Sequence, residues 1–237
     1  MTQPSAVTAT VDALTIVNVG CNGASTGQAT GVGAGGTAPY TFIWTNGQNT
    51  ATATGLAAGQ HCVTVSDANG CSSIACVTIT QPAAPLSGTA TVTSNYNGAQ
   101  LSCSGSSDAD ITITPAGGTP GYTYIWSNGV TDQTQIGVPA GTYCLTVTDA
   151  NSCTMTSCVT VTAPTAMTAT VPGVGVTNVL CFAQATGSAT AVGSGGTPGY
   201  NFVWNTAPSQ FTATATGLIA GQHCGTITDA NGCSATA

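Results

Sequence analysis

One tryptophan-centred segment occurs three times in this chain, and that repetition limits the fold more than any other feature. Thr41-Phe42-Ile43-Trp44 recurs as Thr123-Tyr124-Ile125-Trp126 and as Asn201-Phe202-Val203-Trp204. Each copy follows a turn-rich stretch: Gly35-Gly36-Thr37-Ala38-Pro39-Tyr40, Gly117-Gly118-Thr119-Pro120-Gly121-Tyr122 and Gly195-Gly196-Thr197-Pro198-Gly199-Tyr200. Each precedes an Asp-Ala-Asn-x-Cys segment, at 67–71, 149–153 and 229–233. The period, 82 residues and then 78 to 80, exceeds the roughly 20–50 residues of solenoid repeats. Each unit therefore needs a core of its own, and the chain divides at residues 1–82, 83–164 and 165–237.

Within a unit, short β-type runs alternate with turn signals. In the first they are Val7–Val11, Leu14–Val19, Gly27–Val32, Tyr40–Thr45, Thr50–Thr54, His61–Ser66 and Ile74–Thr80. Thr/Val/Ala alternation punctuated by Gly, Pro and Asn-Gly is the pattern of a β-sandwich, and no stretch has helical period or caps. Asn46-Gly47 and Asn128-Gly129 suit type I′ hairpins; Asn205-Thr206-Ala207-Pro208 requires a longer loop. A mid-strand Trp with aromatic neighbours suits the core anchor of an immunoglobulin-like sandwich. The expected fold is all-β: three tandem immunoglobulin-like β-sandwich domains.

Charge narrows the function. The 237 residues include no Lys or Arg and seven acidic side chains, all Asp, for a net charge of −7. With no basic patch there is nothing to release counterions from a nucleic acid, so nucleic-acid partners are excluded. No Arg or Lys can clamp a phosphate, and no Lys can form a Schiff base or an isopeptide. No apolar run approaches the ~20 residues of a membrane span, and Met1-Thr2-Gln3-Pro4 does not read as a signal peptide.

Eleven cysteines fall at matched positions: 21, 62, 71 and 76; 103, 144, 153 and 158; 181, 224 and 233. Four cysteines allow three connectivities. If Asp67 pairs with Cys71 across a tight turn, Cys62 lies opposite Cys76, and Val63, Val65, Ala75, Val77 and Ile79 share one face. The expected disulfides are then Cys62–Cys76 and Cys21–Cys71, with Cys144–Cys158 and Cys103–Cys153 in the second unit. In the third they are Cys181–Cys233 alone, leaving Cys224 unpaired or intermolecular. Zinc is the rival for such sets, but the CxxC knuckle is missing. A disulfide framework implies an oxidising, extracellular compartment, secreted or cell-surface.

The third unit lacks a counterpart of Cys76-Val77-Thr78-Ile79, so the third sandwich is expected to lack its last strand. Thr2-Gln3-Pro4 matches Thr80-Gln81-Pro82, the linker that follows that strand. An open edge invites pairing with another chain. The chain is either one stretch of a longer tandem array or a subunit completed by a strand of a neighbouring copy, with head-to-tail growth.

These residues resemble the SprB repeat. The resemblance is carried by Cys103, by Gly117-Gly118-Thr119-Pro120-Gly121-Tyr122-Thr123-Tyr124-Ile125-Trp126-Ser127-Asn128-Gly129, by Ala140-Gly141-Thr142-Tyr143 and by Thr146-Val147-Thr148-Asp149-Ala150-Asn151. SprB repeats occur in long surface adhesins and secreted proteins of gliding and related Bacteroidota. The resemblance implies an extracellular, array-forming β-sandwich protein with no catalytic residues to transfer.

Few residues bear chemistry. His61 and His223 stand where the second unit has Tyr143, a position like the tyrosine corner of sandwich domains. The Asp-Ala-Asn loops suit Asp and Asn bonding their own backbone in a turn. Asp108 and Asp110 form a lone Asp-x-Asp, short of the 6–8 oxygens calcium takes. No cofactor, metal site or acid–base pair is expected, hence no enzyme. O-linked glycans are a candidate partner of so Thr- and Ser-rich a chain. The function expected is a structural subunit of an extracellular filament, a head-to-tail homopolymer. The alternative is a stalk or glycan-binding module of a cell-surface adhesin, with Tyr96, Phe182 and Phe211 as candidate exposed aromatics.

Overall fold

A computed structural model describes residues 5–237; the Thr2-Gln3-Pro4 match lies outside the described residues. The chain forms two compact units: Met1–Gly88 with Pro115–Tyr124 and Thr146–Thr156, and Thr89–Thr114 with Ile125–Leu145 and Ser157–Ala237. The first and third repeats fall in different units, and the second repeat contributes to both.

The first repeat has six strands: β1 (Thr8–Val11), β2 (Gly27–Ala34), β3 (Thr41–Trp44), β4 (Thr52–Leu56), β5 (Gly59–Ser66) and β6 (Ser72–Ile79). They make two three-stranded antiparallel sheets, ordered β1-β2-β4 and β3-β5-β6. Alternation decides which side chains meet between the sheets. Val19, Ala29, Trp44, Ala53, Leu56, Val63, Val65, Val77 and Ile79 form one buried cluster. Cys62 lies opposite Cys76, and the Val63/Val65 and Val77/Ile79 faces turn inward together.

The second repeat repeats this pattern with β7 (Ala90–Val92), β8 (Ala109–Ile113), β9 (Thr123–Trp126), β10 (Thr134–Val138), β11 (Gly141–Thr148) and β12 (Thr154–Val161). Its sheet orders are β10-β8-β7 and β12-β11-β9. The third contains β13 (Thr168–Thr170), β14 (Val176–Thr177), β15 (Gly187–Thr190), β16 (Val192–Ser194), β17 (Asn201–Trp204), β18 (Thr214–Leu218), β19 (Gly225–Thr228) and β20 (Ser234–Thr236). They form sheets β13-β16, β14-β15-β18 and β17-β19-β20, closed on Ala189, Ala191, Trp204, Ala215, Leu218 and Ile227. Where β6 and β12 each run eight residues, β20 pairs over three.

The three tryptophans anchor their repeats, each no more than 2% exposed. A buried indole N–H needs an acceptor, and each finds a backbone carbonyl in the following loop: Thr50, Asp132 and Thr212, at 3.0, 2.9 and 3.0 Å.

Two local expectations change. Leu14–Val19 is not a strand. The Asp12 carboxylate accepts from Leu14 N at 2.9 Å and caps a short 3₁₀ turn, Ala13–Thr15, offering the backbone a partner that competes with a ladder. Leu14 is left exposed, and only a bridge from Val17 to Gln28 remains. Nor is Asn46-Gly47 a type I′ hairpin. Gly47 has positive φ but Asn46 does not, and Gly47 N donates to Trp44 O at 2.9 Å. The turn therefore carries the chain from one sheet to the other, since β3 and β4 do not pair.

Candidate functional site

The Gly-Gly-Thr and Asp-Ala-Asn-x-Cys segments build one device in every repeat. The buried Asp67 carboxylate accepts from Asn69 N (3.0 Å), Cys71 N (2.8 Å) and Thr37 N (3.0 Å). Asp149 takes Asn151 N, Cys153 N and Thr119 N, and Asp229 takes Asn231 N, Cys233 N and Thr197 N, all at 2.8–2.9 Å. The Thr37 N–H and its companions hold Asp67 below the ordinary aspartate value against the pull of burial. At Asp149 and Asp229 burial pulls upward most strongly, yet the converging backbone N–H groups win and the pKa is lowered. The donors that hold these carboxylates are backbone amides, as the turn reading expects.

This device explains the second glycine of each pair. A Cβ on Gly36 would stand 2.6 Å from Asp67 Oδ2, and the residue has φ +62°. Gly118 and Gly196 repeat the arrangement against Asp149 and Asp229. The tyrosine five residues after the first glycine donates its hydroxyl back to that glycine's carbonyl: Tyr40 to Gly35, Tyr122 to Gly117 and Tyr200 to Gly195. The sequence pattern places a backbone-binding corner at His61, Tyr143 and His223. These do reach carbonyls four residues back, those of Ala57, Pro139 and Ile219. The Gly-Gly-Thr tyrosines form a second such corner, one that the Gly-x-x-x-x-Tyr spacing could have revealed.

The cysteines depart from expectation. Cys62–Cys76 and Cys144–Cys158 staple the last hairpins of the first two repeats. The other two disulfides run between successive repeats rather than within them. Cys21 bonds Cys153 with Cα atoms 5.6 Å apart, and Cys103 bonds Cys233 at 5.7 Å. Cys21–Cys71, Cys103–Cys153 and Cys181–Cys233 therefore do not form, and Cys71, Cys181 and Cys224 are free. The physical reason lies in the Asp-Ala-Asn-x-Cys loop, whose asparagine bonds across to the preceding repeat. There the preceding repeat presents the Gly20-Cys21 or Ser102-Cys103 loop. Asn151 Nδ2 donates to Gly20 O at 2.9 Å and to Thr119 Oγ1 at 2.8 Å. Asn231 Nδ2 donates to Tyr96 O, Ser102 O and Thr197 Oγ1, while Asn97 Nδ2 reaches Asn231 Oδ1 at 2.7 Å. A hydrogen-bonded asparagine thus sits beside each inter-repeat disulfide.

A second feature is a cleft of about 400 Å³ in the third repeat, bordered by Val176, Asn178, Val179, Leu218 and Ile219 and reaching Ala237. In the first repeat the end of β6 occupies the corresponding place. Ile79 is 1% exposed and would meet a Cβ on Gly27 at 2.7 Å. Val19 N donates to Thr80 O, and Thr80 N to Asn18 Oδ1, both at 2.9 Å. Asn178 and Val179 are the repeat equivalents of Asn18 and Val19. Val19 is buried, whereas Val179 is half-exposed.

The candidate glycan aromatics do not gather. Tyr96 is half-buried, with its hydroxyl donating to Asp108 O at 2.8 Å; burial and the nearby Asp108 and Asp110 raise its pKa. Phe182 is fully exposed and Phe211 largely so, and neither Tyr96 nor Phe211 lines the pocket that holds Phe182. Asp108 and Asp110 accept from Ser102 N and Gly137 N, both at 3.2 Å. Among the described residues no cluster of three metal-ligating side chains occurs, and no helix is long and apolar enough to cross a membrane.

Fold and junctions together define a tandem array of immunoglobulin-like sandwiches with disulfides tying one repeat to the next. The SprB-repeat family model matches three stretches of the chain, residues 13–49, 95–131 and 174–209. The matches cover the front of each repeat, through the Gly-Gly-Thr turn and the Trp strand, and leave out the Asp-Ala-Asn-x-Cys hairpin. No curated protein matches the chain significantly. Similar solved structures include a tetra-tandem repeat from the extending region of a large adhesion protein (16% identity, 98% of this chain and 74% of that one, TM-score 0.28). Others are a 1.5-MDa bacterial ice-binding adhesin (15%, 99% and 96%, 0.42) and the N-terminal eight Ig domains of Down Syndrome Cell Adhesion Molecule (12%, 99% and 36%, 0.31). SprB repeats are modules of Bacteroidota surface proteins, and four disulfides fit an oxidising compartment. Both point to a cell-surface or extracellular setting.

Proposed function

We propose that this chain is a structural, non-catalytic subunit of an extracellular filament, its repeats joined head to tail to those of further copies. The third sandwich is completed by a strand from a neighbouring copy. The observation that carries this reading is the cleft of the third repeat. It has the lining that the first repeat closes with Val77, Ile79 and the main chain of Thr80. Main-chain pairing with alternate side chains in pockets is the chemistry of strand addition. Repetition within the chain supports an assembly that continues the same step between chains.

Electron microscopy of the purified chain tests this, together with a peptide of residues 74–82 in which Ser replaces Cys76. Filaments with a regular axial repeat, shortened by excess peptide, are the expected result. Filaments indifferent to the peptide would remove strand addition. Isolated particles at every concentration would remove the filament. The second reading, a stalk within a larger surface adhesin, is favoured by the SprB repeats themselves, and isolated particles would leave it leading. O-linked glycans on the exposed Thr and Ser side chains fit either reading, and intact-mass measurement of native material would reveal them.

A further inference from the structure

We propose that Cys181 of one copy and Cys71 of a second copy form an intermolecular disulfide, a third instance of the junction that the chain already makes twice. The inference rests on the head-to-tail reading and specifies its covalent chemistry.

Both internal junctions follow one rule. The cysteine of the early loop in one repeat bonds the cysteine of the Asp-Ala-Asn-x-Cys loop in the next: Cys21 with Cys153, then Cys103 with Cys233. Applying the rule once more leaves two cysteines over. Cys181 is the early-loop equivalent of Cys21 and Cys103, and Cys71 is the equivalent of Cys153 and Cys233. Both are free and exposed, whereas their four paired counterparts are half-buried.

The surroundings of the two free thiols carry unused halves of the same contact. Asn151 and Asn231 each give their Nδ2 to a threonine of their own repeat and to a carbonyl of the preceding one. Asn69 makes the first bond, to Thr37 Oγ1 at 3.0 Å, and among the described residues it has no inter-repeat acceptor. The matching carbonyls, those of Gly20 and Ser102, correspond to that of Leu180. A side chain at this position fits the junction. A Cβ on Gly20 would meet Asn151 Cβ at 3.6 Å, an ordinary contact, and Ser102 already occupies the place in the second junction. Beside Cys181, Leu180 and Phe182 are 80% and 101% exposed and line an open pocket with Ile219. Apolar side chains so placed gain from being covered, and the first repeat of a second copy brings the Asn69-Gly70-Cys71 loop to do so.

The chemistry closes with a small-molecule disulfide as oxidant. The Cys181 thiolate attacks it and expels one small thiolate, which takes up a proton. The Cys71 thiolate of the second copy then attacks the Cys181 sulfur and expels the second. Two protein thiols become one disulfide, and one small disulfide is reduced to two thiols.

The test uses the whole chain carrying Cys224→Ser, incubated with oxidised glutathione and separated without reductant. The expected result is a ladder in steps of the 23.0 kDa chain mass, collapsed by reductant, with a Cys71–Cys181 crosslink in the peptide map. Adding Cys71→Ser or Cys181→Ser should leave monomer only. Mixing those two variants should restore one covalent product, a dimer that grows no further. Covalent dimers of either variant alone would overturn the proposal, as would a map placing another cysteine in the bond. Absence of a ladder would also overturn it. Microscopy of the same samples separates the two readings: filaments without a ladder would leave head-to-tail assembly standing while removing its disulfide.

Discussion

Replacing Ile79 with alanine tests whether the end of β6 closes the sandwich, on which the reading of the third-repeat cleft depends. Ile79 is 1% exposed, in a cluster with Leu56, Val63 and Trp44, and its Cγ2 lies directly over Gly27. The substitution removes three carbons. At about 0.8 kcal/mol for each buried carbon group the transfer loss is ~2.4 kcal/mol. The residual cavity adds to it, because Gly27 offers no side chain to fill the space, so the total should be about 3 kcal/mol, inside the 2–5 kcal/mol range of such truncations. Hydrogen exchange read by mass spectrometry resolves the repeats separately. Protected amides of β5 should exchange roughly 100-fold faster, since ~1.4 kcal/mol corresponds to tenfold. Ile74→Ala, at a side chain 65% exposed on the same strand, serves as the control and should change exchange less than about twofold. A cost below ~1 kcal/mol for Ile79→Ala would refute the reasoning. The last residues of β6 would then not be what holds that side of the core, and a cleft at the same place in the third repeat would not call for a strand.

Three further outcomes follow from the same physics. Asp67, Asp149 and Asp229 have folded-state pKa values below the ordinary 3.8, so their contribution is fully present above that value and is lost as pH falls through the lower folded-state value. Thermal melts should give a Tm insensitive to these groups near neutrality that drops below about pH 4; a decline beginning near pH 6 would contradict this. Gly118→Ala places a Cβ against Asp149 Oδ2 at φ +60° and should cost more than ~1 kcal/mol in urea denaturation. Gly105→Ala, with nothing within 4 Å and no positive φ, should be close to neutral. Removing the hairpin staple with Cys62→Ser and Cys76→Ser opens a loop of sequence separation 14 and should cost about 3 kcal/mol, measured by the same denaturation.

Much of the fold was legible in the residues because its determinants are local. Alternation along His61–Ser66 and Ile74–Thr80, with Asp67 and Cys71 across the turn, set the hairpin register that places Cys62 opposite Cys76. The tryptophans were recognisable as core anchors from their position between aromatic and β-branched neighbours. Leu14–Val19 was misread because alternation alone does not register Asp12, whose carboxylate holds a turn where a strand could run. Asn46-Gly47 was misread because the dipeptide specifies a turn but not whether the strands beside it share a sheet.

Amino-acid order alone thus determined the three-fold repetition, the β class and the register of the hairpin that sets Cys62 opposite Cys76, since contacts over a dozen residues depend on propensity and pattern near at hand. It could not determine the partner of Cys21 or Cys103. Three copies of the Asp-Ala-Asn-x-Cys loop present Cys71, Cys153 and Cys233 with the same local chemistry, so the sequence offers equivalent choices. Only the packing of successive repeats separates them. It brings Asn151 onto Gly20 and Asn231 onto Ser102, and with them the sulfurs of the next repeat within bonding reach.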